Sequence, residues 1–227
     1  MYTKVKLLLT LAASMYIITS CNNNTATDAD KTDTSSSSSM QSDTMNKKMS
    51  KLSDTMKMDN GLMASINPMM EKMNRMKMSG NFDMDFANMM IEHHQGAIDM
   101  SEQEINSGKD DKMKGMAQKI ITSQKEEISK LQVMVKNMKP SKMKMGEGEL
   151  EKLMSDMKSQ MSNMQMTGNL DKDFTMMMTS HHESAVSMSK MELKNGMNAA
   201  LKQMAQKGIS EQTKEINEFK SWMAANK

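Results

Sequence analysis

The sequence predicts an all-α fold, a bundle of two tandem helical-hairpin repeats with Met-rich flanking helices, and three observations carry that expectation. Apolar residues recur at spacings of three and four over long stretches, the period of a helix with one buried face. The chain also matches itself at a fixed offset of 88 residues, which joins Gly80 to Gly168, His93 to His181, Gly108 to Gly196, Gln124 to Gln212 and Glu127 to Glu215 without an insertion. Such self-similarity is the mark of a tandem duplication. Finally, 36 Met stand beside 4 Phe, 2 Tyr and 1 Trp in 227 residues, so a flexible thioether replaces much of the usual core vocabulary. Packing in helix seams accounts for most of these Met, but less well for Met40, Met45, Met49, Met56 and Met58, which lie in a polar segment.

The N-terminus reads as an export signal. Lys4 and Lys6 accompany an apolar run from Val5 to Ile18 that is too short to span a bilayer. Ile18-Thr19-Ser20-Cys21 resembles a bacterial lipobox, which implies cleavage before Cys21 and lipid on its sulfur, so residues 1–20 are expected to be a lipoprotein signal peptide. Residues 21–60 are expected to form a disordered tether: Asn22 to Asp43 contains the run Ser35 to Ser39 and little to bury, and Met40 to Asp59 is a Met- and Lys-rich arm.

The first repeat is expected over residues 61–139. Asn67-Pro68 signals a helix start, and Ile66, Met69, Met73 and Met76 trace a stripe that ends at Gly80. Asn81 or Asp83 suits the cap of a second helix, which runs to about Asn106 and stops at Gly108. Asp110 or Asp111 caps a third, striped by Met113, Ala117, Ile120, Gln124, Ile128, Leu131 and Val135. Pro140, Gly146 and Gly148 mark a break, after which the second repeat fills residues 146–227.

Charge and cysteine usage exclude several functions. Loss of Lys4 and Lys6 with the leader leaves acidic and basic side chains balanced at 28 each, which points to no nucleic-acid partner. A single Cys allows neither an intramolecular disulfide nor a Cys-based zinc site.

Chemistry concentrates in the second helix of each repeat. At about 100° per residue, Phe86, Met90, His93, Ala97 and Met100 share a face with Met89, and His94 lies on its flank. Met89 and Met90 stand one turn before His93 and His94, the spacing at which helical side chains meet. Phe174, Met177, Met178, His181, His182, Ala185 and Met188 repeat the arrangement, and the two pairs hold all 4 His of the chain. A His pair backed by a Met pair is a plausible soft-metal ligand set, so the candidate ligands are His93, His94, Met89 and Met90 with His181, His182, Met177 and Met178. A hairpin turn near residues 108 and 109 sets Gln124 level with His93 and Glu127 level with Met90, and in the second repeat Gln212 with His181 and Glu215 with Met178. These four groups are expected to orient the imidazoles by hydrogen bonds. Glu104 and Glu192 lie central on the same face, where burial is costly without a purpose.

At these residues the chain resembles the domain-of-unknown-function 305 family. Its pattern of Asp, Phe, Met, His-His, Ala and Met is met by Asp85, Phe86, Met89, His93, His94, Ala97 and Met100, and again by Asp173, Phe174, Met177, His181, His182, Ala185 and Met188. The likeness extends over about residues 65 to 224. Through a periplasmic copper-binding member, the resemblance implies a ferritin-like four-helix bundle and copper handling.

The expected protein is an exported lipoprotein, held in the bacterial cell envelope through Cys21 alone and facing periplasm or exterior. It buffers or carries Cu(I), with Ag(I) and Cu(II) as alternatives, and contributes to metal tolerance. Thioethers suit that work because they ligate without losing a proton and form no disulfides. One rival is a structural envelope module whose His pairs are packing residues. A di-iron carboxylate enzyme is weaker: it needs Glu three residues before His, where this chain has Met90 and Met178, so no enzyme is expected.

Overall fold

The computed structural model describes residues 61–142 and 146–227. The signal peptide, Cys21 and the Met40 to Asp59 arm fall outside the described residues. Regular structure among the described residues is entirely helical: α1 (61–75), α2 (Phe82–Ser107), α3 (Asp111–Val135), α4 (Glu147–Asn163), α5 (Leu170–Asn195) and α6 (Ala199–Ala225).

α1 departs from the sequence expectation at both ends. It already runs through residues 61–67 and continues past Pro68, and it stops at residue 75, short of Gly80. Leu62, Ile66, Met69 and Met73 form one stripe across the proline, each 3% exposed or less. Burying Leu62 and Ile66 is worth about 1.5–3 kcal/mol apiece, which offsets the ~3 kcal/mol of an interior proline.

Gly80 and Gly168, at φ 76° and 79°, instead make the left-handed turns that lead into α2 and α5, a conformation glycine adopts without steric cost. Asp85 and Asp173 fasten those turns by accepting from Ser79 N and Thr167 N, both at 2.7 Å. Asn81 and Asn169 then cap α2 and α5, accepting from Met84 N and Lys172 N. Asp110 and Asn198 do the same for α3 and α6.

Short connections fold α2 back along α3 and α5 along α6, giving two antiparallel hairpins. Gly108 and Gly196 close α2 and α5 with extended backbone at negative φ. Glycine is required there for space, because a Cβ would collide with the carboxyl group of Glu104 or Glu192.

The hairpins join through α2 and α5, which lie antiparallel. Asp83, at the start of α2, accepts from Met197 N at 2.9 Å and Asn198 N at 2.8 Å, just beyond the end of α5. Asp171, at the start of α5, accepts from Lys109 N at 2.7 Å and Asp110 N at 2.8 Å, just beyond the end of α2. Each repeat thus ties down the loop that starts the other's last helix. The result is an all-α bundle with Phe86, Met89, Met100, Met113, Phe174, Met177, Met188 and Phe219 in one continuous core. α3 and α6 flank one side of the α2/α5 pair and leave a cleft between them.

Candidate metal centre

The antiparallel register brings the two His pairs together at mid-length of α2 and α5, each residue at most 4% exposed. Rings of His93 and His181 face each other with centroids 3.6 Å apart and planes 34° from parallel. Neighbours on a helix point about 100° apart, so the second His of each pair turns toward another element. His94 meets α3 and His182 meets α6: their Nε2 atoms lie 2.9 Å from Glu127 Oε2 and 2.8 Å from Glu215 Oε2.

These contacts assign the ring protons. His181 Nε2 lies 2.9 Å from the backbone oxygen of His93, an acceptor only, so it carries hydrogen. His93 Nε2 lies 2.6 Å from Ser184 Oγ. That hydroxyl donates its single proton to the His181 backbone oxygen at 2.7 Å, so His93 Nε2 is again the donor. His94 donates to the Glu127 carboxylate. His182 Nε2 sits close to the Glu215 carboxylate, but its N–H points off the oxygen and closes no aligned hydrogen bond; the negative charge still favours the proton on that side. All four Nδ1 atoms are buried without a partner. Three, and by electrostatics the fourth, therefore present bare lone pairs.

Electrostatics keeps the central rings in the form that ligates. Burial, then the charges His181, His94 and His182 would carry, holds His93 well below the ordinary imidazole value. Burial, then His182 and His94, does the same for His181 against the opposing contribution of the His93 carbonyl. Burial raises Glu127, but the hydrogen bond and charge of His94, aided by Lys207 and Lys130, outweigh it and leave the carboxyl below its ordinary value. Glu127 is thus an anion bound to an imidazole whose other nitrogen is free, the carboxylate–histidine arrangement that supports a metal ligand.

Two small cavities, each about 10 Å³, adjoin the His pairs. One is lined by His181 with Met69 from α1 and Met157 and Met161 from α4. The other is lined by His94 and Met90 from α2, Glu127 from α3, and Met204 and Gln212 from α6. His181 therefore looks toward thioethers alone, whereas His94 has both thioethers and a carboxylate beside it. Among the described residues, no three His, Cys, Asp or Glu side chains converge as a ready metal cluster; the donors that line the two cavities include sulfur as well as nitrogen.

Of the methionines singled out by sequence, Met90 lines a cavity with a histidine, while Met89, Met177 and Met178 are buried in the core. The register expectation is corrected by about one turn. Glu127 pairs with His94, and Glu215 approaches His182. Helical side chains lean toward their own N-terminus, and in an antiparallel pair that carries the Glu127 tip toward the level of His94. Glu127 consequently takes an inner place in α3 while Ile128 is only half-buried. Gln212, expected against His181, lines the cavity of His94 in the other repeat, and Gln124 lines the α3/α6 cleft. Reading each hairpin alone could not reveal a neighbour from the other repeat.

Sequence reasoning does not single out Met69, Met157, Met161, Met204 or Ser184 as parts of the site. Met69 and Met157 are related by the internal offset, and that signal could have found them; Ser184 replaces Gly96 and breaks the repeat, so no such signal exists for it.

Glu104 and Glu192 have a separate partner. As carboxylates they find no donor. Burial, then contact with Asp171, pushes Glu104 up to about 8; burial, then contact with Asp83, pushes Glu192 up to about 9. A retained proton lets each acid donate to the aspartate that reaches in from the other repeat.

The family profile described as "Domain of unknown function (DUF305)" matches the chain twice, over residues 22–135 and 133–223. Among solved structures, "CopM in the Cu(I)-bound form" is similar at 27% identity and a TM-score of 0.48, with 63% of this chain and 96% of that chain covered. No curated protein matches.

Proposed function

Since the chain belongs to the domain-of-unknown-function 305 family, whose name assigns no chemistry, we propose its function from the site: an exported, lipid-anchored protein that binds Cu(I) or Ag(I) and buffers or carries the ion. The carrying observation is the set of four buried imidazole Nδ1 atoms without a partner. An unsatisfied buried polar atom costs about 1–3 kcal/mol, so each of these lone pairs is a neutral donor that a cation would satisfy. Thioethers of Met69, Met157 and Met161 beside His181, and of Met90 and Met204 beside His94, select a soft ion. All of these ligands are neutral, which suits a monovalent ion, while Cu(II) favours tetragonal nitrogen and oxygen sites. Glu127 sets the orientation of His94 through a hydrogen bond, and Glu215 places its charge beside His182. The protein acts by binding and release, not as an enzyme.

Export and anchoring rest on the leader and Ile18-Thr19-Ser20-Cys21. No helix among the described residues is long and apolar enough to cross a membrane. Replacing Cys21 with Ala is expected to release the protein from the membrane fraction, and unchanged fractionation would remove the anchor.

Competition with a chromogenic Cu(I) chelator, run beside circular dichroism, tests the site. His93→Gln with His94→Gln is expected to weaken Cu(I) binding at least about tenfold, roughly 1.4 kcal/mol, with helix content retained. The variant with all four His replaced by Gln is expected to lose the tight site. Unchanged affinity in that folded variant would leave the His pairs as packing residues.

A further inference from the structure

We infer that the cleft between α3 and α6 is the port through which a hydrated cation reaches the His94 side of the centre, held open by the missing side chain at Gly208. The inference rests on the metal-binding reading above and adds the route.

The cleft has a volume of about 320 Å³ and its walls include Glu127, Gln124, Gln212 and Gly208. Glu127, Gln212 and Gly208 also line the inner cavity that contains His94, Met90 and Met204. The two spaces therefore meet at a shared wall of three residues, one of which has no side chain. A Cβ at Gly208 would find its nearest neighbour, Ser189 Oγ, 3.9 Å away, so the glycine leaves open room and is not forced by crowding. Its backbone is helical, and an interior helical glycine costs about 0.5–1 kcal/mol against alanine. The internal repeat supplies the contrast. Ile120 holds the equivalent place in α3 and is 1% exposed, so the first repeat buries a large side chain where the second has none.

The cleft is also suited to its cargo. Glu127, Glu211, Glu215 and Glu218 line it against Lys119 and Lys214, an acidic excess that draws cations into a low-dielectric groove. Gln124 and Gln212 lie 3% and 4% exposed, and the Oε1 of each has no partner. These two neutral acceptors beneath the acidic rim can take over from water as the ion sheds its hydration shell. Glu127 spans both spaces, so it receives the ion from the cleft and holds, through Nε2–H, the ring whose free Nδ1 is the ligand.

A barrier and a ligand are told apart by kinetics. Ag(I), which undergoes no redox change in buffer, is the probe, with exchange against a fluorescent chelator followed by stopped flow on the full chain. Gly208→Ile copies Ile120 and is expected to slow association and dissociation together, by at least about tenfold. Because both directions share one barrier, the dissociation constant should stay within about twofold. Unchanged rates, or weaker affinity with unchanged association, would overturn the port. Glu211→Gln with Glu218→Gln removes two rim charges and frees Lys207, which Glu211 pairs at 3.1 Å; slower association with a shallower salt dependence is expected, and no change in either would remove the steering role. If wild type takes up no Ag(I), the metal-binding reading itself fails, a result distinct from uptake at unaltered rates.

Discussion

The first and second histidines of each pair are neighbours in sequence and share a free Nδ1, but they differ in what surrounds them. His93 and His181 stack on each other across the repeat boundary and are held through Ser184 and a backbone carbonyl, with thioethers from α1 and α4 beside His181. His94 and His182 turn outward to carboxylates on α3 and α6, next to a polar cleft. About one hundred degrees of helix separate a soft, apolar side from a charged, accessible one. An adjacent His pair thus links two environments, one suited to retain a thiophilic ion and the other to admit it.

The largest expected effect comes from removing the carboxylate side. Glu127→Ala with Glu215→Ala should weaken Cu(I) binding by about 10–100-fold, the usual cost of losing the group that orients a ligating histidine. Glu126→Ala, on an exposed residue paired with Lys130, should leave affinity unchanged in the same titration.

The thioether side should matter less for affinity and more for selectivity. Met69→Leu, Met157→Leu and Met161→Leu conserve volume, so each should cost less than about 1.5 kcal/mol in urea unfolding. Together they should reduce Ag(I) affinity by about tenfold and leave any Zn(II) affinity untouched. Equal losses for both ions would erase the proposed division between the sides.

At the ends of α2 and α5 the expected effect is on stability. Glu104 is faced by Asp171 from α5 and by Lys114 and Asp110 from the α3 side; Glu192 is faced by Asp83 from α2 and Lys202 from α6. Folded values of about 8 and 9 stand above the ordinary 4.5, so the folded state binds more protons between those limits. Stability from these acids is complete below about pH 4.5 and is lost as pH rises through 8 and 9. The melting temperature should fall by about 5 °C or more from pH 5.5 to 9.5. Glu104→Gln with Glu192→Gln keeps a donor toward each Asp and should flatten that slope.

The smallest effect is expected at Ser184. Ser184→Gly restores the residue of the first repeat and removes one hydrogen bond to His93, costing about 1 kcal/mol plus the helix penalty of glycine, with affinity changed less than about threefold.

Much of the molecule is legible in its amino-acid sequence alone. The 3.6-residue stripes, the caps at Asn81 and Asp110 and the duplication specify the hairpins, because those signals are local or repeat at a fixed offset. The His pairs are legible for the same reason. What lies beyond reach is created by one hairpin meeting the other: the His93–His181 stack, Gln212 in the cavity of His94, and Asp83 and Asp171 as partners of Glu192 and Glu104. The start of α1 is hidden because Asn67-Pro68 reads locally as a helix start, while the burial that carries the helix back across it is tertiary.

The central claim is that the imidazoles carry hydrogen on Nε2 and offer Nδ1 to the ion. Long-range ¹H–¹⁵N spectra of the histidines, recorded on the metal-free protein and again with Ag(I), test it directly. The account predicts Nε2–H tautomers throughout, with ¹⁵N shifts concentrated at Nδ1 and Nε2 retaining its proton when the ion binds. Nδ1–H tautomers in the free protein, or shifts concentrated at Nε2, would contradict it.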